Sequence, residues 1–242
     1  MKNRLLAALI LLGAPAYART PRVAVVIDDF GLTYKKNPPD EDWMKLDGPL
    51  TFAVMPESPR TKLAAKATLD AGKELIIHYP FDPFQTFDLA KDAATPADIE
   101  KATRLLEKSL KQIPGAVGLN NHRSYRATMN GPLMRAFMKL LKPKGLYFLD
   151  SKVSPKTVAG REAKAAGIPT ATNYIFLDTA EVHTQPFCAK MLGLAVARAR
   201  RTGEAVAIGH HYFHGTFDCL KAEMPRYAKE GVEFVKASAL AR

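Results

Sequence analysis

Short apolar runs alternate along the chain with amphipathic stretches, and eight of these runs have the length of a strand. Strands in parallel sheets are covered on both faces, so they form continuous apolar runs without polar alternation. The pattern therefore predicts a mostly parallel sheet. The eight runs are Val23 to Ile27, Thr51 to Met55, Glu74 to Ile77, Ala116 to Leu119, Leu146 to Leu149, Thr172 to Leu177, Ala205 to Ile208 and Val232 to Val235.

Helical signals lie between these runs. Thr95-Pro96 opens one predicted helix, with Asp98 at the position that a capping box requires. Ser154-Pro155 is expected to open another helix. The polar segment Thr33 to Pro49 is predicted to be a long loop after the first strand. Strands separated by helices indicate one α/β domain, either a barrel or a doubly wound sheet.

Polar groups that can titrate follow six of the predicted strands, directly after the last apolar residue. In parallel α/β folds the carboxyl ends of the strands share one face, and catalytic sites are built there. We therefore expect residues that are distant in sequence to converge at that face. They are Asp28-Asp29, His78, Asn120-Asn121-His122, Asp150, Asp178 and His210-His211.

The residue types at these strand ends favour a metal site. Asp28 and Asp29 repel each other when both are charged, and a bound cation relieves that repulsion. One carboxylate with two imidazoles is a common hydrolytic zinc set, which leaves positions open for water and substrate. Water on such an ion becomes a nucleophile near neutral pH. A second carboxylate and another histidine can then act as base and acid.

Each of these residues also has a purely structural interpretation. An aspartate can cap a turn, and His78 can be a core histidine bonded to backbone. Asp150 and Asp178 can close loops. His211 is better explained by local packing than by ligation. The joint placement at strand ends, more than any one residue, favours a site.

The net charge bears on the possible binding partners, and the two cysteines bear on a possible disulfide. A formal charge of +11 suits acidic surfaces such as cell-wall polymers or anionic lipid. Nucleic acid is the usual alternative, but the sequence has no nucleic-acid motif, so we predict no nucleic-acid partner. Cys188 and Cys219 are compatible with one disulfide or with two buried thiols.

The first eighteen residues have the features of a secretory signal peptide. Lys2 and Arg4 precede the apolar run Leu5 to Gly13, and the small residues Ala16-Tyr17-Ala18 follow. We predict cleavage after Ala18, a single domain over residues 19–242, and a periplasmic or extracellular location. A retained anchor is the alternative. No later run approaches the length of a membrane span, so we expect none in the mature protein.

Several motifs resemble the divergent polysaccharide deacetylase family, which belongs with the NodB-homology carbohydrate esterases. Their order and spacing agree from about residue 22 to residue 240. The start of the pattern and its Asn-Asn-His motif are fairly specific together. The motifs are Val25 to Gly31, Thr51 to Pro56, His78-Tyr79-Pro80, Gly118 to His122, Phe148 to Ser151 and Ile208-Gly209-His210.

The resemblance implies a distorted, incomplete (β/α) barrel of about seven or eight mostly parallel strands. It also implies one divalent metal ion, often zinc, and hydrolysis of an N-acetyl group on an amino-sugar polymer or oligomer. By the same resemblance Asp28 is the general base, His210 the general acid and Asp150 an acidic residue that orients the site. The implied metal ligands are Asp29, His78 and His122.

Two stretches depart from the family pattern. Arg123-Ser124-Tyr125 replaces a small residue with Gly-Ser, and His211 to His214 follow Gly209-His210 in place of proline. Arg123 either binds an anionic sugar or marks a site without activity. We predict substrate-binding roles for Arg123 and Asn121, with Asn121 a candidate oxyanion donor. A non-catalytic envelope protein that binds glycan or protein remains an alternative, as does a metal-dependent esterase or phosphoesterase.

Overall fold

The computed structural model describes residues 19–33, 37–82 and 95–242, so the predicted signal peptide lies outside the described residues. The described strands are β1 (Arg22–Phe30), β2 (Leu50–Val54), β3 (Glu74–Asp82), β4 (Gly118–Arg123), β5 (Tyr147–Asp150), β6 (Thr170–Thr172), β7 (Ile175–Phe176), β8 (Glu204–His210) and β9 (Glu233–Val235). The described α-helices are α1 (Asp40–Lys45), α2 (Thr61–Asp70), α3 (Pro96–Gln112), α4 (Tyr125–Met129), α5 (Gly131–Leu141), α6 (Ala159–Ala165), α7 (Gln185–Thr202) and α8 (His214–Lys229), with 3-10 turns at Lys142–Lys144 and Ala237–Leu240.

Eight strands form one curled parallel sheet in the order β6-β5-β4-β3-β2-β1-β8-β7, and β9 pairs with the start of β1. Because neighbouring strands are parallel, the connections between them must cross over rather than turn back as hairpins. The predicted distorted (β/α) barrel of seven or eight mostly parallel strands is confirmed.

The barrel closes at a seam between its two edge strands, β6 and β7, which are consecutive in the chain. The single predicted strand Thr172 to Leu177 is therefore wrong. Within the two residues between them, Asn173 N donates to Asp150 O at 2.9 Å, and Tyr174 N donates to Val206 O at 3.0 Å. The segment thus passes from the side of β5 to the side of β8. Among the described strands, β6 pairs with β5 and β7 pairs with β8, but β6 and β7 do not pair with each other.

Alternating residues of the strands fill two separate cores. In β1, Ala24 and Val26 pack in the inner cluster with Ile76, Leu149 and other residues of the barrel interior. Val25 and its outward neighbours pack instead against the helices. Because the side-chain period of a strand is two, one short run supplies both layers.

The C-terminal turn Ala237–Leu240 fills the amino end of the barrel around a buried carboxylate. Glu74, the first residue of β3, accepts hydrogen bonds from Thr51 Oγ1 and Tyr147 OH, each at 2.9 Å. It also accepts one from Ser238 N at 3.1 Å. Ala237 and Leu240 complete the inner cluster there. This end is held by packing and hydrogen bonds, and the polar strand ends lie at the opposite end.

Several local predictions require comment. The capping box at Thr95 is confirmed. The predicted loop Thr33 to Pro49 contains α1, whose Trp43 is fully buried and donates to His211 O at 2.9 Å. The helix expected at Ser154 begins at Ala159 instead, because hydrogen bonds to the Asp150 carboxylate hold the intervening residues in a loop.

One disulfide joins the last two long helices. Cys188 of α7 is bonded to Cys219 of α8, which decides between the two alternatives that the sequence left open. Both residues are fully buried. Across the described residues, no helix combines the length and the apolar character that crossing a bilayer demands.

Candidate metal centre and active site

An irregularity near the end of β1 turns two adjacent carboxylates to the same side. Ile27 pairs with Phe52 and Phe30 with Val54, so Asp28 and Asp29 share the space opposite one residue of β2. Asp29 also adopts a left-handed backbone with φ of 72°, which is costly for a residue with a side chain. Regular strand residues alternate between faces, and this bulge removes the alternation.

The three predicted metal ligands meet at one point. His78 of β3 is level with Asn120 of β4, so His122, two residues further along β4, faces the same side. His78 Nε2 lies 3.1 Å from Asp29 Oδ1, His122 Nδ1 lies 3.0 Å from the same oxygen, and the two nitrogens are 2.9 Å apart. All three side chains are buried.

This donor set fits a divalent ion. Three atoms about 3 Å apart can all lie within about 2.0 to 2.2 Å of one ion, the usual zinc distances to nitrogen and carboxylate oxygen. The two imidazole nitrogens face each other inside the protein, where a cation between them relieves the repulsion of their lone pairs. Among the described residues, this trio is the grouping of histidine, cysteine and acidic side chains with metal-binding spacing.

The two carboxylates are held in different states by their surroundings. Burial raises the pKa of Asp28 above its ordinary value, and the charges of His78 and His210 only partly offset this. Burial acts in the same direction on Asp29, but its close contacts with the His122 and His78 imidazoles outweigh it and hold the Asp29 pKa well below its ordinary value. Asp29 is therefore the permanent anion of the pair, and Asp28 is the carboxylate better suited to exchange a proton.

His210 ends β8 directly beside Asp28 and is paired with a second aspartate. Its Nδ1 lies 2.5 Å from Asp178 Oδ1, and its backbone N–H donates to Asp178 Oδ2 at 2.9 Å. Thr216 Oγ1 donates to the same carboxylate. Burial alone lowers the pKa of His210, but the hydrogen bond and charge of Asp178 raise it to about 9. His210 is thus a proton donor at neutral pH.

A cleft at this end of the barrel joins the metal centre to His210. Arg123, Val153, Tyr212 and Phe176 also line it. The Phe176 ring lies parallel to the His210 imidazole, with centroids 6.1 Å apart. The same cleft is thus lined by the trio, by Asp28 and by His210.

The sequence matches the divergent polysaccharide deacetylase family over residues 25–241. The chain belongs to that family. The uncharacterized protein YibQ of Escherichia coli (strain K12) is 31% identical to this chain over 236 residues, which cover 97% of this chain and 71% of that protein.

Solved structures share the barrel fold of this chain. The crystal structure of the uncharacterized protein ATU2773 from Agrobacterium tumefaciens C58 matches with a TM-score of 0.79 and 23% identity, covering 93% of this chain and 91% of that one. The Bc1960 peptidoglycan N-acetylglucosamine deacetylase matches with a TM-score of 0.57 and 14% identity, covering 93% and 89%. At these identities the similarity establishes a common fold.

The remaining predicted site residues occupy different positions around the cleft. Arg123 is exposed at the edge of the cleft, on a backbone with φ of 48°. The Asn121 amide bonds backbone on both sides, donating to Arg123 O at 3.0 Å and accepting from Ser151 N at 2.9 Å. His211 is fully buried against Phe30, which agrees with a packing role.

Asp150 and Asp178 make different contacts, and the structure brings Asp178 rather than Asp150 to His210. Asp150 was predicted to orient the active-site groups, but its carboxylate accepts from Lys152 N and Gly160 N and so closes a loop. Asp178 is the aspartate that contacts His210. The sequence placed both after strands, and their side-chain directions depend on the seam between β6 and β7. Besides the contact of Asp178, the sequence did not reveal the contacts of Asn120 with Asp28 and His78.

Proposed function

We propose that this protein is a metal-dependent hydrolase that removes N-acetyl groups from amino sugars of an envelope or extracellular carbohydrate. The observation that carries the proposal is the convergence of Asp29, His78 and His122 on one point, each atom pair within 3.1 Å. A base and an acid candidate stand beside that point on neighbouring strands. Membership of a deacetylase family supports the carbohydrate substrate.

Asp29, His78 and His122 would hold the ion, which is zinc or another divalent metal. The bound ion supplies a Lewis acid for the acetyl carbonyl and lowers the pKa of water toward neutrality. All three ligands come from strands packed on both faces, so the site keeps its shape before any ion arrives.

Asp28 would take the proton of the attacking water. Its Oδ1 is occupied by the amide of Asn120 at 2.8 Å, and its Oδ2 lies 3.7 Å from His78 Nε2, on the side of the trio. Burial raises the pKa of Asp28, which makes it a stronger base than an exposed aspartate. A carboxylate so placed suits general base catalysis.

His210 would donate a proton to the sugar nitrogen as the carbon–nitrogen bond breaks, so that acetate and a free amine leave. Asp178 accepts from Nδ1 and keeps the proton-bearing Nε2 on the cleft side. Arg123 at the cleft edge would contact the glycan, and its positive charge favours an anionic chain. Asn121 would serve the site by shaping the turn after β4.

We also propose that the protein works in the periplasm or outside the cell. The predicted signal peptide supports export. The disulfide between Cys188 and Cys219 supports an oxidising compartment, because cytosolic thiols are kept reduced. Fractionation of cells that express the full chain tests this, with loss of residues 1–18 from the mature protein as the expected result.

Metal analysis of the purified mature protein tests the site. We expect about one divalent ion per chain in the wild-type protein and little in Asp29→Ala, because two imidazoles alone bind zinc weakly. Asp40→Asn is the matched control, since Asp40 is also a buried carboxylate but pairs with Arg60, at 3.2 Å. Equal metal content in wild type and Asp29→Ala would remove the proposed site.

Acetate release from N-acetylated oligosaccharides tests the reaction. The metal-loaded protein should release acetate and expose one free amine for each acetate, and Asp29→Ala should not. Metal binding without release on any glycan would favour the alternative, a glycan- or protein-binding envelope protein with a deacetylase barrel. Release from acetyl esters alone would favour a metal-dependent esterase.

A further inference from the structure

We propose that Asn120 is a positioning residue that links the general base to a metal ligand through one side-chain amide. The proposal rests on the proposed function, since it concerns how Asp28 and His78 are prepared for their roles there. Asn120 itself contacts neither the point where the three ligands meet nor the cleft. Its effect passes through Asp28 and His78, which it bonds.

The contacts of Asn120 are short and fully enclosed. Its Oδ1 lies 2.8 Å from His78 Nδ1, and its Nδ2 donates to Asp28 Oδ1 at 2.8 Å. A second, longer bond runs from Nδ2 to Ser151 Oγ at 3.3 Å. Asn120 has no solvent exposure, and it lies beside His78 in the ladder between β3 and β4. The amide is thus fixed by the sheet as well as by its partners.

The carboxylate decides which way the amide points. A carboxylate oxygen can only accept, so the NH2 group of Asn120 must face Asp28. The amide oxygen then faces His78 and also can only accept, so His78 Nδ1 must carry the hydrogen. A neutral imidazole has one N–H, which leaves the lone pair on Nε2.

That lone pair lies where the ion would bind. His78 Nε2 is the atom that lies 3.1 Å from Asp29 Oδ1 and 2.9 Å from His122 Nδ1. In the reverse orientation the amide oxygen would oppose the Asp28 carboxylate, and the NH2 group would move the imidazole hydrogen onto Nε2. Metal-binding histidines generally depend on such an outer partner for their tautomer. Here one amide sets the tautomer of the ligand and the direction of the base together.

The two halves of this role can be separated by substitution. Asn120→Asp keeps an acceptor for His78 Nδ1 but loses the donor to Asp28. Asn120→Ala loses both. Asn173→Ala is the matched control, because Asn173 is also a buried asparagine at this end of the barrel and bonds Ser151 O and Ile175 N without contacting the ligands.

The first measurement is zinc affinity, with chelator-stripped protein competing against a chromogenic zinc chelator. We expect Asn120→Ala to bind zinc about 10- to 100-fold more weakly than wild type, as loss of an outer partner usually does. Asn120→Asp should stay within a few-fold of wild type, since a carboxylate accepts the same N–H. Asn173→Ala should match wild type even where its thermal stability is lower.

The second measurement is acetate release by the zinc-loaded proteins, with kcat and KM separated. Asn120→Asp should lower kcat by about tenfold or more with KM near the wild-type value, because Asp28 loses its donor and gains a like charge. Wild-type zinc affinity in folded Asn120→Ala, or unchanged kcat in Asn120→Asp, would overturn this proposal alone. Absence of zinc binding by the wild-type protein would overturn the proposed function as well.

Discussion

The pairing of His210 with Asp178 gives a prediction with a definite magnitude. Asp178→Asn removes the negative charge but keeps the size of the side chain. In the wild-type protein Asp178 raises the pKa of His210 to about 9, against the effect of burial. Without that charge, burial should lower the pKa toward its ordinary value of 6.5, although the charges of Asp29 and Asp28 still act to raise it. The shift is therefore up to about 2.5 pH units.

The expected effect on rate follows from the protonated fraction. At pH 8 a group with a pKa of 9 is about 90% protonated, and one with a pKa of 6.5 is about 3% protonated, a ratio of about 30. The assay is kcat/KM for acetate release between pH 6 and pH 10, whose basic limb reports the acid of the free enzyme. That limb should move from about 9 toward 6.5 in Asp178→Asn.

Thr216→Val is the matched control, because it removes a hydrogen bond from the Asp178 carboxylate but leaves its charge. Its basic limb should move much less.

The stability of the fold supplies an independent check. A raised histidine pKa stabilises the native state fully below pH 6.5, and the stabilisation is lost as the pH rises through about 9.

Urea unfolding at pH 6 and at pH 10 should therefore differ more in the wild-type protein than in Asp178→Asn, by up to about 3 kcal/mol. A basic limb that stays near pH 9 in Asp178→Asn would refute the role of Asp178 in raising His210. A shifted limb without a matching change in stability would show that the limb reports a group other than His210.

Three further predictions concern the fold. Glu74→Ala leaves several buried donors without an acceptor, so the free energy of unfolding in urea should fall by about 3 kcal/mol or more, and a loss below 1 kcal/mol would contradict the buried network. The double variant Cys188→Ser and Cys219→Ser opens a loop of 31 residues and should lose about 3 to 4 kcal/mol, and reductant should then affect the wild type alone. Thr95→Ala removes one capping box and should cost about 1 kcal/mol, with native metal content; an unchanged melting temperature would argue against the cap.

The strand pattern was predictable because apolar runs are local signals, but the strand ends were not. β1, β3 and β4 extend beyond their apolar runs to include Asp29, His78 and His122. Neighbouring strands bury these polar side chains, and the local sequence does not show that burial. The family motifs pointed to Asp29, His78 and His122, which lie together in the structure. The sequence did not show how Asp28 and Asp29 can face one side, because the bulge depends on pairing with β2.

The outer contacts of the site were harder to predict for the same reason. Asn120 and Asn121 are adjacent, and the period of the strand decides which of them reaches His78. Asp150 and Asp178 both follow strands, and only the strand order places Asp178 beside His210. In both cases the contact depends on which residues lie next to each other in the folded protein. Composition and spacing do not show this.

The residues of the candidate site come from two parts of the sheet, and only one of them lies at the seam between β6 and β7. Asp28 and the trio lie on β1, β3 and β4, in the continuous part of the sheet, whereas Asp178 follows the two-residue strand β7, which pairs with β8. Under the proposed function, changes in the segment from Thr170 to Asp178 would therefore misplace the partner of His210 and leave the three proposed metal ligands in place. The proposed catalysis would then be lost separately from the proposed metal binding, through changes in one short segment.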